Sequence, residues 1–326
     1  MPHKQFSVFK LEFPSPIHVS SGGFGLEQAD TALRSDTLFS ALCHTTGLLW
    51  GDQMVKEWIN QAPFRISSCF PYIGTQLYFP KPVYLNAPDR QNPKDWKKVR
   101  YLSEDLLKVW LEGGSKELHK IPLRIHGAFC SAVSTSDSAE TKLIKEHEIP
   151  RVTVDRLTQA GSIFHFAQHH YYDQTGLFFM VDWGNATQEQ KMVFKSSLSL
   201  LADEGLGADR TVGKGWFNVN VHDEQSLSFE IPNKADCHFL LSLYHPSCED
   251  LAIIDPENSF YELTTRRGWV SQTNLKRQST RFITEGSLMY IPTLPEGDNP
   301  VVFQQSPDYQ VIRYGKALSI PIHPNT

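Results

Sequence analysis

The chain has 326 residues, 40% of them hydrophobic and 12% aromatic, which is enough to fill the core of one large or two ordinary domains. Its formal net charge of −5 argues against nonspecific nucleic-acid binding by the whole surface, so any nucleic-acid site must be local. The five cysteines are scattered without C-x-x-C spacing and indicate neither a disulfide framework nor a zinc site. Because the sequence also lacks an apolar signal segment and a run of about 20 apolar residues, we expect a cytoplasmic protein that does not enter a membrane.

The N-terminal part of the sequence predicts strands around one capped helix. FSVFKLEF, residues 6–13, alternates as a strand, and the glycine-rich loop HVSSGGFG follows it at residues 18–25. A helix is predicted to begin near Ser35, because Ser35 and Asp36 are good N-caps and apolar residues recur at helical spacing from Leu38 to Leu49. RISSCFPYI and QLYFPKPVY predict short strands whose prolines favour edges or loops, and the basic RQNPKDWKKVRYL predicts a linker.

The middle of the sequence completes a strand and helix pattern. Residues 131–150 are polar and poor in aromatics, which predicts a mobile insertion. RVTVDR, SIFHFAQHHYY and GLFFMVDW predict strands, a helix is predicted from about Thr187 to Glu204, and WFNVNV predicts a last strand. Without the insertion, the order β-α-β-β-α-β predicts a ferredoxin-like unit, which also underlies RRM-type RNA-binding domains.

A shorter β-rich region follows Pro232. Its predicted strands lie in CHFLLSLY, YELTTRRGWV, RFITEGSLMYI, PVVFQQS and QVIRYGKALSIPI. We therefore predict an α+β fold of two domains. The first is a ferredoxin-like (RRM-like) domain over residues 1–232 with a hairpin insertion at about 127–150, and the second is a smaller β-rich ferredoxin-like domain over residues 233–326.

The segment GLGADRTVGKGWF, residues 205–217, has the composition of a phosphate-binding loop. It is not a nucleotide-binding P-loop, because five residues separate Gly207 from Gly213, Gly215 replaces the Ser or Thr, and the loop runs from helix to strand. Glycines let consecutive amides turn toward an anion, and Arg210 and Lys214 supply positive charge. The predicted site residues of the loop are Gly205, Gly207, Asp209, Arg210, Thr211, Gly213, Lys214 and Gly215.

Two other regions are candidates for phosphate contact. The helix start at Arg34 and Ser35 offers backbone amides to an anion, with His18, Ser20 and Ser21 on the adjoining loop, although Asp36 makes a plain capping role equally plausible. The run TTRRGWVSQTNLKRQSTRF, which includes Arg266 and Arg267, holds five basic residues and no acid. It suits RNA or the acidic face of a partner, and a solvated face is the alternative.

No spacing in the sequence predicts catalysis or a metal site. His165, His169 and His170 share a helical face only if their segment is helical, whereas its aromatic content predicts a strand, and no carboxylate or cysteine completes a ligand set. We therefore expect no catalytic residues, no metal and no cofactor, and we expect that the protein is not an enzyme.

Several stretches together resemble the RAMP superfamily: HVSSGGFG, LRSDTLFSAL, FPKPVY, RVTVDRLTQAGSIFHF, LLADEGLGADRTVGKGWF, RRGW, ITEGSL and RYGKALSIPI. They are most similar to the Csm-type, Cas5-like subunit of type III-A CRISPR effector complexes, with Ala208 standing where relatives often have another glycine. The resemblance implies a non-catalytic subunit for antiviral defence, which holds the 5′ handle of CRISPR RNA (crRNA). It also implies three further partners: the large polymerase-like subunit, a neighbouring backbone RAMP subunit and target RNA near the handle.

The resemblance also implies roles for individual residues. It places Arg151 and Arg156 near the guide RNA, where solvated charges are the alternative, and it implies a hairpin before RVTVDR that reaches the guide–target duplex. Trp216 and Phe217 either stack on a base or pack into the core. Two other functions stay open: a metal-independent RAMP endoribonuclease that processes crRNA, and the equivalent subunit of a type III-B complex.

Overall fold

The computed structural model describes residues 2–19, 32–88, 91–133, 143–270, 273–306 and 309–323. The chain is a mixed α/β protein with several sheets and few helices. Its helices are α1 Ser35–Trp50, α2 Asp52–Gln61, α3 Pro93–Trp96, α4 Glu104–Leu118, α5 Gln188–Glu204 and α6 Cys248–Ile253. Among these described residues, no helix combines the length and the apolar character needed to cross a bilayer.

The strands fall into two groups along the chain. The first group is β1 His3–Leu11, β2 Arg65–Ile66, β3 Phe70–Ile73, β4 Gln76–Pro80, β5 Tyr101–Ser103, β6 Leu123–His126, β7 Phe129–Ala132, β8 Ile144–Val154, β9 Gly161–Tyr171, β10 Thr175–Asp182 and β11 Gln225–Glu230. The second group is β12 Cys237–Leu240, β13 Asp255–Phe260, β14 Leu263–Arg266, β15 Thr280–Ile283, β16 Leu288–Tyr290, β17 Val301–Ser306, β18 Tyr309–Ile312 and β19 Ser319–Ile322.

The central sheet positions the two long helices that precede the candidate site. Its strands run in the order β11-β1-β10-β3, each antiparallel to its neighbour, and the sheet continues through β4, β5, β7 and β6. Helices α1 and α5 lie on the face formed by Phe9, Leu11 and Phe179. They also contact each other, because Thr46 Oγ1 donates to Ser197 Oγ over 2.9 Å. Burial of this aromatic face holds α5 on the sheet, and α5 ends at Glu204, where Gly205 has φ 81° and begins the glycine-rich loop.

The opposite face of the central sheet packs on the C-terminal strands. The sheet β13-β16-β12-β19 contributes Phe239 and Ile320 to a core that also contains Phe6 and Phe178. Trp110 of α4 is fully buried there, with its ring centroid 5.2 Å from that of Phe239. The N-terminal and C-terminal strands therefore share one continuous core on this face.

The structure corrects several element predictions. Helix α4 was missed within the stretch after the basic linker, although Leu106, Leu107, Trp110 and Leu111 follow helical spacing and are buried. The predicted strand WFNVNV is wrong: Asn218 makes only an isolated bridge to Glu12, and the edge strand is β11. The alternation that suggested a strand arises because Phe217 and Val221 are buried from an irregular segment.

Strands β8 and β9 form a two-stranded hairpin apart from the central sheet. They pair without interruption from Ile144 opposite Tyr171 to Val154 opposite Gly161. The predicted mobile insertion over residues 131–150 is therefore wrong for Ile144–Pro150, which is paired strand, while residues 134–142 lie outside the described part of the chain. RVTVDR belongs to this hairpin, and Asp155 Oδ1 closes its tip by accepting from the amides of Leu157 and Thr158.

Candidate functional site

The glycine-rich loop is folded tightly against the segment that follows β1. Gly205, Gly207, Gly213 and Gly215 all have positive φ, from 75° to 88°. A Cβ at Gly207 would lie 2.3 Å from the carbonyl oxygen of His18, and one at Gly215 would lie 1.9 Å from that of Leu206. A Cβ at Gly213 would meet nothing within 4 Å. Two glycines are thus required by close packing, whereas Gly213 is required only by its backbone conformation.

Most amides at the ends of this loop are already used. Leu206 N donates to Gly215 O over 2.8 Å, Ala208 N donates to His18 O over 3.0 Å, and Gly215 N donates to Pro16 O over 3.0 Å. The predicted cradle around the whole loop is therefore wrong for these positions. Within the described chain, the amides of Arg210 and Thr211 meet no acceptor, and both residues are exposed in a single 3₁₀ turn. This turn is the part of the loop that is open to an anion.

The loop and the base of the β8–β9 hairpin are joined by a charged cluster. Arg151 Nη2 lies 2.5 Å from Asp209 Oδ2, and Lys214 Nζ lies 3.6 Å from the same oxygen. Both cations also lie over the buried ring of Phe166, the Arg151 guanidinium carbon 4.2 Å and Lys214 Nζ 4.8 Å from its centroid. Lys214 Nζ donates to Gln168 Oε1 over 2.7 Å. We call Arg151, Phe166, Gln168, Asp209 and Lys214 the loop–hairpin cluster.

Asp209 is the counter-ion of this cluster in the free protein, and its direct contact with RNA stays a prediction. Partial burial acts to raise the pKa of Asp209, but the hydrogen bond and charge of Arg151 and the charge of Lys214 outweigh it and hold the pKa below its ordinary value. The carboxylate is therefore ionised at neutral pH, and it repels a phosphate while it orients the two cations.

The hairpin presents a basic and aromatic face to the loop. Lys145, His147 and Arg151 alternate along β8 on the face that carries Phe166 and His170 of β9, whereas Glu146 and Glu148 lie on the other face. The rings of His147 and His170 lie 4.9 Å apart. Burial, followed by the charges of His147, Lys145 and Lys214, lowers the pKa of His170. Sequence reasoning missed Lys145, Phe166 and Gln168, although the alternation in IKEHEIPR was a usable signal.

The other predicted residues near the loop differ in burial and in the groups that they contact. His18 is buried, with Nδ1 2.7 Å from Ala167 O and its ring centroid 4.6 Å from that of Phe166. It therefore packs against the Phe166 ring of the loop–hairpin cluster and does not face solvent. Arg156 is exposed in the turn at the hairpin tip, beyond the end of β8 at Val154. Trp216 is 40% exposed and Phe217 is 2% exposed, so only Phe217 packs into the core. Ser20 and Ser21 lie outside the described residues.

The predicted phosphate contact at the start of α1 is wrong for Ser35. Ser35 is fully buried, its amide donates to Ser68 Oγ over 2.9 Å, and its hydroxyl oxygen accepts from the amide of Leu243 over 3.1 Å. Arg34 Nη1 pairs with Glu285 Oε2 at 2.6 Å. The first turn of α1 therefore anchors the C-terminal region and does not present its amide at Ser35 to a ligand.

Arg266 and Arg267 are adjacent in sequence but differ in environment. Arg266 donates from Nε and Nη2 to the two carboxylate oxygens of Asp36, at 3.0 and 3.1 Å, and is mostly buried. Arg267 is exposed. Arg266 is therefore not a free surface cation, whereas Arg267 is accessible, and RNA contact by either residue stays a prediction.

The described residues contain no group of three or more His, Cys, Asp or Glu side chains that could hold a metal ion. His165 instead lies 3.1 Å from Glu148, and His169 is buried with Nε2 3.9 Å from Glu146. These pairs join the two strands of the hairpin on its acidic face.

Comparisons with known proteins agree with this architecture. Residues 233–322 match the family described as the CRISPR Csm4 C-terminal domain. A chain from a solved Csm3–Csm4 subcomplex of the type III-A CRISPR-Cas interference complex has a TM-score of 0.68 and 20% identity, covering 98% of this chain and 100% of that chain. A chain from a Csm1–Csm4 cassette in complex with cA4 has a TM-score of 0.63 and 19% identity, covering 98% of each chain. These structures share the fold.

Two curated relatives carry the similarity at the sequence level. "CRISPR system Cms protein Csm4" of Methanocaldococcus jannaschii is 24% identical over 373 residues, covering 97% of each chain. The protein of the same name from Mycobacterium tuberculosis (strain CDC 1551 / Oshkosh) is 31% identical over 270 residues, covering 82% of this chain and 80% of the relative. With this identity over most of both chains, the protein belongs to the Csm4 family of CRISPR proteins.

Proposed function

We propose that this chain is a non-catalytic RNA-binding subunit of a type III-A (Csm) CRISPR complex, and that it holds the 5′ handle of crRNA at the loop–hairpin cluster. The observation that carries the proposal is the convergence of Arg151 and Lys214 on Phe166 beside the open turn at Arg210 and Thr211. Single-stranded RNA is held by such combinations of cations, aromatic rings and free backbone donors. As part of the same proposal, the protein is located in the cytoplasm.

The strand order supports a ferredoxin-like interpretation of the core. β11-β1-β10-β3 places the last strand beside the first and the third strand between the first and second, with α1 after β1 and α5 after β10. This is the β-α-β-β-α-β arrangement of RRM-type domains. In this unit the glycine-rich loop leads from the second helix toward the edge strand, and we propose that this position defines the RNA-binding end of the domain.

The solved relatives suggest the assembly. They are complexes of Csm4 with Csm3 and of Csm4 with Csm1. We extend this arrangement to the present chain: it bridges the large polymerase-like subunit and the first backbone RAMP subunit, and the handle RNA lies at their junction.

The distal half of the β8–β9 hairpin suits contact with target RNA beside the handle. Val152, Val154, Leu157 and Ile163 are between 57% and 95% exposed there. An apolar tip on a hairpin with one basic face has the properties of a wedge that stacks on or displaces a base pair. We propose that this tip, and not residues 131–143, reaches the guide–target duplex.

The proposal is tested by Arg210→Gln in the complex reconstituted with both partner subunits. Arg210 is exposed and makes no side-chain hydrogen bond or ion pair to the described residues, so its loss leaves the fold intact. We expect weaker handle-RNA binding and a slope of log K against log[salt] that is shallower by about 0.7, the single-strand value for one phosphate contact. Arg100→Gln, at another exposed arginine, which lies directly before β5, is the matched control.

Two outcomes would contradict the proposal. Wild-type affinity and salt slope in a folded Arg210→Gln complex would remove the loop from the RNA site. Cleavage of repeat RNA by the pure protein without metal would instead support the endoribonuclease alternative.

A further inference from the structure

Two arginines bind one carboxylate at the first turn of α1, and a third arginine lies beside them. Asp36 is fully buried, and it accepts from Arg266 Nε over 3.0 Å and from Arg313 Nη1 over 2.5 Å. Arg277 is the third member and lies beside them: its amide donates to Gly268 O over 2.9 Å, and the carbonyl oxygen of the preceding residue, Arg267, accepts from Arg313 Nη2 over 3.1 Å. We call Arg266, Arg277 and Arg313 the arginine cluster.

The charge of this cluster is not balanced within the described chain. Among the described residues, Asp36 is the one carboxylate that hydrogen-bonds to these guanidinium groups, so three positive charges and one negative charge leave a formal +2. Buried charges are ordinarily paired, because desolvation of an unpaired ion is costly. The cluster therefore has capacity for one more anionic partner.

Two guanidinium nitrogens of the cluster lack a hydrogen-bond acceptor and are the donors that we assign to this anionic partner. Arg313 is 6% exposed, and its Nε is buried without a hydrogen-bond acceptor among the described residues. The Nε of Arg277 is in the same state. Burial, and next the charge of Arg313, lowers the pKa of Arg277. Asp36 holds the forks of Arg266 and Arg313 in fixed orientations, and the guanidinium of Arg277 donates no hydrogen bond to any described residue.

The surface next to the cluster favours RNA as the source of the anion. Residues 264–282 carry five basic side chains and no acid, in a chain whose net charge is −5. Arg267 and Arg281 are exposed in this stretch, and the 43% exposed ring of Trp269 has Lys276 Nζ 5.3 Å from its centroid. An exposed aromatic ring among cations is the setting in which bases of single-stranded RNA stack.

We propose that the arginine cluster is a second phosphate-binding subsite, separate from the loop–hairpin cluster, and that it takes a backbone phosphate of the bound RNA. Guanidinium forks match phosphate oxygens in geometry, and Asp36 pre-orients two of the three. The inference rests on the proposed RNA-binding function for the source of the phosphate.

The test uses Arg277→Gln, because Arg277 makes none of the hydrogen bonds that hold Asp36. We expect handle-RNA affinity of the reconstituted complex to fall about 3- to 10-fold and the salt slope to become shallower by about 0.7. Arg277→Lys keeps the charge without the fork and is expected to recover part of the affinity. Arg100→Gln is the matched control.

A second arm asks whether the site takes the phosphate group itself. Inorganic phosphate should raise the Tm of the wild-type protein more than chloride at equal ionic strength, and this difference should disappear in Arg277→Gln. Wild-type RNA affinity in a folded Arg277→Gln complex overturns the subsite. If phosphate protection is lost in that variant while RNA affinity is not, the site binds a free phosphate group and the RNA assignment is wrong.

The two proposals fail separately in this design. A loss of RNA affinity in Arg210→Gln without a loss in Arg277→Gln overturns only the subsite. Wild-type affinity in both variants overturns the handle-binding function as well.

Discussion

Removal of the negative charge at Asp209 should strengthen RNA binding, although the residue lies inside the candidate site. Asp209 neutralises Arg151 and Lys214 in the free protein, and an incoming phosphate must share those cations with the carboxylate. Asp209→Asn keeps the side-chain size and suits the backbone, because Asp209 has φ 63° and ψ 26°, a left-handed conformation that asparagine tolerates well.

The expected gain in RNA affinity follows from the separation between the carboxylate and the bound phosphate. A phosphate held by the same cations would lie about 5 Å from the carboxylate, where two unit charges repel by ~0.8 kcal/mol in a medium as polar as water. The side chains of Arg151 and Asp209 are 30% and 24% exposed, so a water-like value is the safer choice. Relief of this repulsion corresponds to about fourfold tighter binding, and the gain should shrink as salt rises.

The same substitution should slightly lower stability. The pKa of Asp209 is depressed in the folded protein, so its contribution is present above the ordinary carboxylate pKa and is lost as pH falls through the folded-state pKa. At pH 7 we expect a loss of at most about 1 kcal/mol, as for partly exposed ion pairs. Affinity and stability should therefore change in opposite directions.

The assay is a titration of handle RNA into the reconstituted complex at two or more salt concentrations, with thermal melting of each variant. Asp52→Asn, an exposed carboxylate on α2, controls for the change in net charge. Weaker binding by a folded Asp209→Asn complex would refute the reasoning, because it would show that the carboxylate assists RNA binding by orienting Arg151.

Three further changes test the framework around the site. Asp36→Asn should lower the free energy of unfolding by about 3–5 kcal/mol in chemical denaturation, because it leaves buried guanidinium groups without their anion. Burial acts to raise the pKa of Asp36 but Arg266 and Arg313 lower it overall, so this part of the stability should fade only at acidic pH and should be absent from the variant. Gly215→Ala should lower the Tm far more than Gly213→Asn, since a Cβ at Gly215 meets Leu206 O at 1.9 Å; equal Tm losses would contradict the packing argument. Replacement of the exposed tip, residues 155–160, by Asn-Gly should leave complex assembly intact and alter base pairing beside the handle, and failure to assemble would make the tip structural.

Local patterns in the sequence determined several elements correctly. The start of α1 at Ser35, the extent of α5 from its cap at Thr187 to Glu204, and the strand now assigned to β10 were all predictable. Helix periodicity, N-caps and alternating apolar residues are interactions between near neighbours, so they can be read without knowledge of the fold. The glycines at 205–215 likewise indicated a loop with unusual backbone angles, and all four have positive φ.

Only the tertiary structure decided which charges are paired within the protein and which face solvent. Arg266 and Arg267 are adjacent in sequence. Arg266 forms an ion pair with Asp36, which is 230 residues away in the sequence, whereas Arg267 faces solvent. Arg151 and Asp209 are 58 residues apart, and the register of β8 with β9 selects the face on which Arg151 lies. Coulomb attraction and burial depend on distance in space, which packing sets after the chain has folded. The local sequence therefore identified the basic residues of this protein but not the carboxylates with which they pair.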